Sequence, residues 1–228
     1  MTIRQLTGAL ALTSFLLAAA MPAEAREGPY LYVQAGEAVA HNACQSWWIT
    51  TVLPSLGSGA GCSERSAIFR GGFGYTYTDT WALELNYGTF GNARSDGTAM
   101  FPGFATSSNY SWQLKADGLA VQGVGTFHLG DSVAVIAKAG LARIRFTEYV
   151  YSWNTNMPAG VSNYYWMPVI QKNVLAPALG AGFRFDVGPH GSIFLIGETF
   201  GSHQIYSAYG SSTRVTLVAA SAGLMYRY

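Results

Sequence analysis

The chain has 228 residues, 50% hydrophobic, 14% aromatic and only 11% charged, with a formal net charge of +1. A soluble domain usually carries about 25% charge, and a nucleic-acid binder shows a basic stripe, so neither class fits. Low charge with many aromatics suits a surface that faces lipid.

The first segment reads as targeting. Arg4 supplies positive charge, Ala9 to Ala20 form a short apolar core, and Ala23-Glu24-Ala25 is an A-x-A cleavage site. Residues 1–25 are expected to be a cleaved signal peptide, and residues 26–228 one barrel domain starting at Arg26. Beyond residue 25 nothing offers the roughly 20 consecutive apolar residues of a spanning helix. In a bilayer only helices and closed barrels satisfy every backbone polar group, so a membrane reading means a barrel.

Eight alternating stretches follow, at Tyr30–Ala38, Ser66–Tyr77, Trp81–Asn92, Trp112–Phe127, Val133–Tyr149, Asn173–Val187, Ser192–Phe200 and Thr213–Tyr228. Tight turns are expected at Thr78-Asp79-Thr80, Leu129-Gly130-Asp131-Ser132 and Gly188-Pro189-His190-Gly191, and long loops at Val39–Arg65, Ala93–Ser111, Ser152–Lys172 and Gly201–Ser212. Short turns on one rim and long loops on the other mark an outer-membrane barrel. The predicted fold is all-β, an eight-stranded antiparallel up-and-down transmembrane β-barrel. A soluble barrel of the lipocalin type has the same strand count, but predicts neither this alternation of connections nor so few charges. Cys44 and Cys62 fall in the first long loop, and an even pair in an exported chain reads as a disulfide. Closing that loop stabilises by roughly 3 kcal/mol in the chain-entropy model.

Parity then separates lipid from lumen. Trp81, Leu83, Leu85 and Tyr87 share one face, opposite Ala82, Glu84, Asn86 and Gly88; Phe69, Phe73, Tyr75 and Tyr77 oppose Arg70, Gly72, Gly74 and Thr76. Leu179, Ala181, Phe183 and Phe185 likewise oppose Ala178, Gly180, Gly182 and Arg184. Large residues outside with small and charged ones inside reverse the order of a soluble barrel. Tyr75, Tyr77, Trp81, Phe127, Phe185, Tyr226 and Tyr228 fall near the short-turn rim, where an aromatic girdle belongs. One strand breaks the rule, since Lys138 is even while Arg143 and Arg145 are odd. Either a bulge near Gly140 shifts the register, or the two arginines stand above the bilayer beside Glu148; the second is expected.

Together these features resemble the OmpA-type eight-stranded outer-membrane barrels. The resemblance rests on Trp81-Ala-Leu-Glu-Leu-Asn-Tyr87, the turn-flanked pair Val124–Phe127 and Val133–Gly140, Ala178–Phe185, the Glu198 segment, and the closing Ala222-Gly-Leu-Met-Tyr-Arg-Tyr228. It implies a location in the outer membrane of a Gram-negative cell, and a final aromatic strand read by the barrel-assembly machinery. The peptidoglycan-binding domain that many members carry after the barrel is not expected, the chain ending at Tyr228. The resemblance also implies acids and bases paired in the lumen. Parity offers Glu84 and Glu198 against Arg70, Lys138, Arg184 and Arg227. Structurally these are a plug of salt bridges; functionally they are a gate in a narrow ion channel, or a proton relay.

Some barrels of this size act on lipid A, and Gly201-Ser-His-Gln-Ile-Tyr-Ser207 superficially resembles the lipid A deacylase site, with His203 as base and Ser207 as nucleophile. The two are four residues apart, about 13 Å if extended, whereas a nucleophile needs its base within about 3 Å. No Asp or Glu follows His203, and Glu198 lies at the opposite parity. His41, His128 and His190 lack a second ligand at metal spacing. Neither a metal nor another cofactor is expected. Aromatics crowd the long loops, including Trp47, Trp48, Phe101, Phe104, Tyr110, Trp153, Tyr164, Tyr165 and Trp166. They form a binding surface, or pack on one another and on the outer lipid interface. The expectation is a monomeric, non-enzymatic barrel for membrane integrity, in contact with outer-membrane lipids and lipopolysaccharide. Its loops are open to host or phage, it binds no nucleic acid, and the lipid A hydrolase and the narrow ion channel are the alternatives.

Overall fold

A computed structural model describes residues 27–46, 48–52, 61–99, 108–153, 164–206 and 212–228. The strands are β1 (Gly28–His41), β2 (Gly61–Ser63), β3 (Arg65–Thr78), β4 (Trp81–Ala99), β5 (Ser108–His128), β6 (Val133–Trp153), β7 (Tyr164–Val187), β8 (Gly191–Tyr206) and β9 (Ser212–Arg227). Every ladder is antiparallel, and the order β4-β3-β1-β9-β8-β7-β6-β5 closes through a β4–β5 pairing. Eight long strands therefore make a closed barrel, in which the β7–β8 ladder ends at Leu179 and Thr199. The short β2 continues the line of β3 against the far end of β4. No described helix is long and apolar enough to cross a membrane.

The tight turns stand where the sequence puts them, between β3 and β4, β5 and β6, and β7 and β8. Two of the long loops are shorter than expected. Within 93–111 the ladder runs to Ala99 and resumes at Ser108, and within 152–172 it runs to Trp153 and resumes at Tyr164. A strand needs about 9–11 residues to cross a bilayer, yet β4 to β7 have 19, 21, 21 and 24. The surplus projects beyond the lipid as a stalk. Its outward residues include Arg94, Asp96, Lys115, Asp117, Arg143 and Arg145, so the apolar-outside pattern gives way while the β4–β7 ladders continue, with Leu175 beside Arg143 the exposed apolar exception.

Outward parity in the lower half agrees with lipid contact: Phe69, Phe73, Trp81, Leu83, Leu85, Tyr87, Leu179 and Phe183 are all exposed. The seven aromatics at the short-turn rim are exposed too. In β6 the register against β5 runs unbroken from Ala134 to Trp153, so no bulge occurs near Gly140. Arg143 and Arg145 point outward, and Arg145 pairs with Asp117 at 2.7 Å. Their expected neighbour Glu148 is inside instead, because its even parity follows Lys138 without interruption.

The first loop is pinned by a disulfide between Cys44 and Cys62, with Cα atoms 5.9 Å apart. A one-turn 3-10 helix, Ala43–Gln45, lies over the stalk opening, and Ala43 is fully buried in the core beneath. Glu64 holds this turn by accepting from the Cys44 amide at 3.1 Å.

Candidate functional site in the barrel interior

Inward residues of six strands meet at mid-barrel. Glu84 from β4 accepts from Lys138 Nζ at 2.5 Å and from the Tyr30 hydroxyl at 2.9 Å. Glu198 from β8 pairs with Arg70 from β3, and also accepts from Gln34 at 3.2 Å and Gln122 at 3.4 Å. Asn86 donates to Gln122 at 3.0 Å, which ties the two ion pairs into one network. All four charged side chains are at most 3% exposed. An ion removed from water costs several kcal/mol unless paired and hydrogen-bonded, and both carboxylates meet that condition. Aromatic faces complete the packing: Arg70 lies 5.2 Å from the centroids of Phe90 and Phe200, and Lys138 5.0 Å from Tyr32.

Glycine makes room for these rings. A Cβ on Gly72 would sit 2.4 Å from the Tyr32 ring, and one on Gly74 2.2 Å from the Tyr30 ring. This close approach accounts for Gly72 and Gly74 in the glycine-rich run of β3, whereas Gly71, on the outer face, has room for a side chain. Sequence reasoning overlooked Tyr30 and Tyr32. The signal was present, since they alternate with the outward Leu31 and Val33.

Of the six expected lumen charges, four form this network. Arg184 and Arg227 do not join it; they lie nearer the turn rim around Asp186, which the sequence reading missed although it shares the parity of Arg184.

At the other end of the lumen, Glu148 receives the Trp112 indole N–H at 2.6 Å among Leu114, Ile205 and Val215. It stands above the apolar band, and burial pushes its carboxyl up from the usual carboxylate range, a shift that the Trp112 hydrogen bond partly opposes. Tyr110, read as a loop aromatic, is fully buried on the inward face of β5. The side chains of Trp47, Trp48, Phe101, Phe104, Trp153, Tyr164, Tyr165 and Trp166 lie outside the described residues.

The histidine–serine candidate divides. Ser207 lies outside the described residues. His203 turns inward, contrary to its expected parity, because a bulge between Thr199 and Ser202 inserts an extra residue at Gly201, whose φ is +71°. Its Nε2 then sits 2.7 Å from the Phe200 carbonyl, and its ring lies against Phe146. Glu198 is occupied by Arg70, and no described carboxylate pairs with His203. Among the described residues no three His, Cys, Asp or Glu side chains come together as a metal site.

Neisserial surface protein A has a similar structure at 13% identity, covering 88% of this chain and 97% of that one, with a TM-score of 0.46. OprG from Pseudomonas aeruginosa aligns at 11% identity over 90% and 99% of the two chains, with a TM-score of 0.47. Ail from Yersinia pestis, solved with the heparin analogue sucrose octasulfate, aligns at 14% identity over 88% and 99%, with a TM-score of 0.39. No curated protein matches the chain. The model of the outer membrane protein beta-barrel domain matches residues 8–227. With its closed eight-stranded wall, apolar outside and charged lumen, the chain belongs to that family of outer-membrane barrels.

Proposed function

We propose that the protein is a closed, non-enzymatic barrel that supports outer-membrane integrity and touches lipopolysaccharide with its outer wall. The observation that carries this reading is the network of Glu84, Lys138, Arg70 and Glu198, which fills the lumen at mid-membrane with paired charge. The interior of an eight-stranded barrel is just wide enough for side chains to fill, and here cavities of about 30 and 20 Å³ remain toward its two ends. Each has space for a water or two.

The outer wall supports the lipid contact. Lys115, Arg143 and Arg145 project outward from β5 and β6 with a single acid, Asp117, among them. Arg143 stands beside the exposed Leu119 and above Leu141, with Arg145 and Lys115 further along, at the height where anionic headgroups of an outer leaflet sit. The final strand through Tyr228 suits recognition by the barrel-assembly machinery, and the uncharged loops suit contacts with host or phage. Export would use residues 1–25 as a signal peptide; the amino terminus of the protein recovered from membranes is expected at Arg26.

The test is a matched pair of strains, with and without the gene. Loss of the protein should raise sensitivity to detergents while leaving the lipid A mass spectrum unchanged. A lipid A species lacking an acyl chain only in the strain that carries the protein would replace this reading with the hydrolase.

A further inference from the structure

The first loop covers the upper mouth of the lumen with one short turn, and that turn faces a carboxyl. Its entry is Asn42, whose φ of 65° makes it the only described non-glycine residue in the left-handed region. The one-turn helix Ala43–Gln45 follows. It is closed by the Gln45 amide donating to the Asn42 carbonyl at 3.1 Å and the Ser46 amide donating to the Ala43 carbonyl at 3.2 Å. Ala43 plugs the core beneath, and the Cys44–Cys62 disulfide ties the turn to β2. Toward β9 the tie is slight, the Thr213 hydroxyl donating to the Gln45 carbonyl at 3.4 Å. Hinge, plug and tether are thus consecutive residues.

Ala43, Ser46 and Glu148 line one cavity of about 20 Å³, walled otherwise by Trp112, Leu114, Ile205, Thr213 and Val215. The Ser46 hydroxyl is buried and has no hydrogen-bond partner. Glu148 has one donor, the Trp112 indole, and no described base pairs with it. The other charged and titratable groups of the surrounding elements are engaged elsewhere or face away. Lys172 of β7 donates to the Gln204 carbonyl, and His203 of β8 lies on the Phe200 carbonyl, each at 2.7 Å. Glu64 accepts from the Cys44 amide. His41, Lys115, Arg214 and the Arg94–Asp96 and Arg145–Asp117 pairs lie on the outward faces of their strands.

A neutral carboxyl fits this pocket with its single hydrogen bond. A carboxylate does not, because an unpaired buried charge is costly and space for about one water cannot solvate it. Most of the walls belong to β5, β6, β8 and β9, which are held in ladders, so the turn is the wall most easily displaced to admit water. We propose that Ala43–Ser46 is a pH-operated cap on the outer mouth of the barrel. It is seated while Glu148 carries its proton and swings out about Asn42 when Glu148 gives that proton to entering water. The disulfide keeps the lifted cap within reach. Lifting wets the upper lumen alone, since the mid-barrel ion pairs below remain in place.

The test is amide hydrogen exchange of the whole barrel in detergent, followed by NMR at a series of pH values. Rates are expressed as protection relative to the unstructured chain, so that base catalysis cancels. Protection of the Gln45 and Ser46 amides should fall several-fold as pH rises, while that of the β5–β6 ladder stays constant. In Glu148→Gln both amides should stay protected throughout. Trp112→Phe removes the one donor that favours the carboxylate, so there the fall should extend to higher pH and grow. That variant keeps the proposal testable if Glu148→Gln does not fold. Protection independent of pH in the parent, the same fall in Glu148→Gln, or an equal fall along the β5–β6 ladder would overturn the proposal. So would loss of the fall in Glu64→Gln, which would assign the titration to the carboxylate on the Cys44 amide.

Discussion

The lower and upper halves of this barrel are built with opposite polarity. Around mid-membrane the wall shows Leu31, Val33, Leu83 and Leu85 outside and encloses Glu84, Lys138, Arg70 and Glu198. In the stalk the wall shows Arg94, Asp96, Lys115, Arg143 and Arg145 outside and encloses Trp112, Ile144, Phe146 and Leu217. The β4–β5, β5–β6 and β6–β7 ladders run through both, whereas the β7–β8 ladder ends at Leu179 and Thr199. The lower half is arranged for lipid, the upper half like a soluble barrel for water. The environment outside the wall, and not the backbone, decides which parity is apolar. The change of environment comes between Leu141 and Arg143, successive outward residues of β6.

The largest expected effect comes from unpairing the lower lumen. Glu198→Ala leaves Arg70 buried without its carboxylate and should cost about 3–5 kcal/mol in urea unfolding from detergent or lipid. Replacing both partners, as Arg70→Met with Glu198→Leu, should recover most of that loss. If the single variant unfolded like the parent, the pair would not be what organises the lower half.

The outer wall gives the next contrast. Leu85→Arg places a charge against lipid and should cost about 2–4 kcal/mol, the range for a cation near the bilayer midplane. In the stalk, Asn173→Arg, also outward, should change the unfolding midpoint little. Equal costs at the two sites would erase the boundary drawn at Arg143.

A pH scan separates the halves by sign. Burial raises the Glu148 carboxyl above its unfolded value, so the fold binds that proton more tightly than the unfolded chain does. Its contribution is fully present below the unfolded value, about 4.3, and is lost as pH rises through the higher folded value. Glu148→Gln should remove this component, leaving a flatter curve above about pH 4.3. A parent curve as flat as the variant's would mean that the carboxyl does not titrate in that pocket. The smallest effect is at the surface: Asp117→Asn breaks the exposed pair with Arg145 and should leave the unfolding midpoint nearly unchanged, the more so in high salt.

Much of the lower half was legible in the sequence, because lipid outside and charge inside impose a strict period of two on β3, β4, β7 and β9. The stalk was harder to read. Its inward alternation persists, as Trp112, Leu114 and Ala116 show, but Lys115 and Asp117 on the outer face look like loop composition. Glu148 was misplaced for the same reason, being grouped with neighbouring charges and not with its own parity. His203 was misread because a bulge is invisible to a parity count. Gly201 marks the place, yet many other glycines lie in strands without one. Asp186 stands two residues after Arg184 at the end of β7, close enough to the turn to be passed over as rim polarity.

The most direct test of the closed, charge-filled lumen is single-channel recording of the purified barrel in a planar bilayer. The account predicts no sustained conductance for the parent. A steady ohmic current from the parent, carried through the folded monomer and abolished when the protein is omitted, would contradict it.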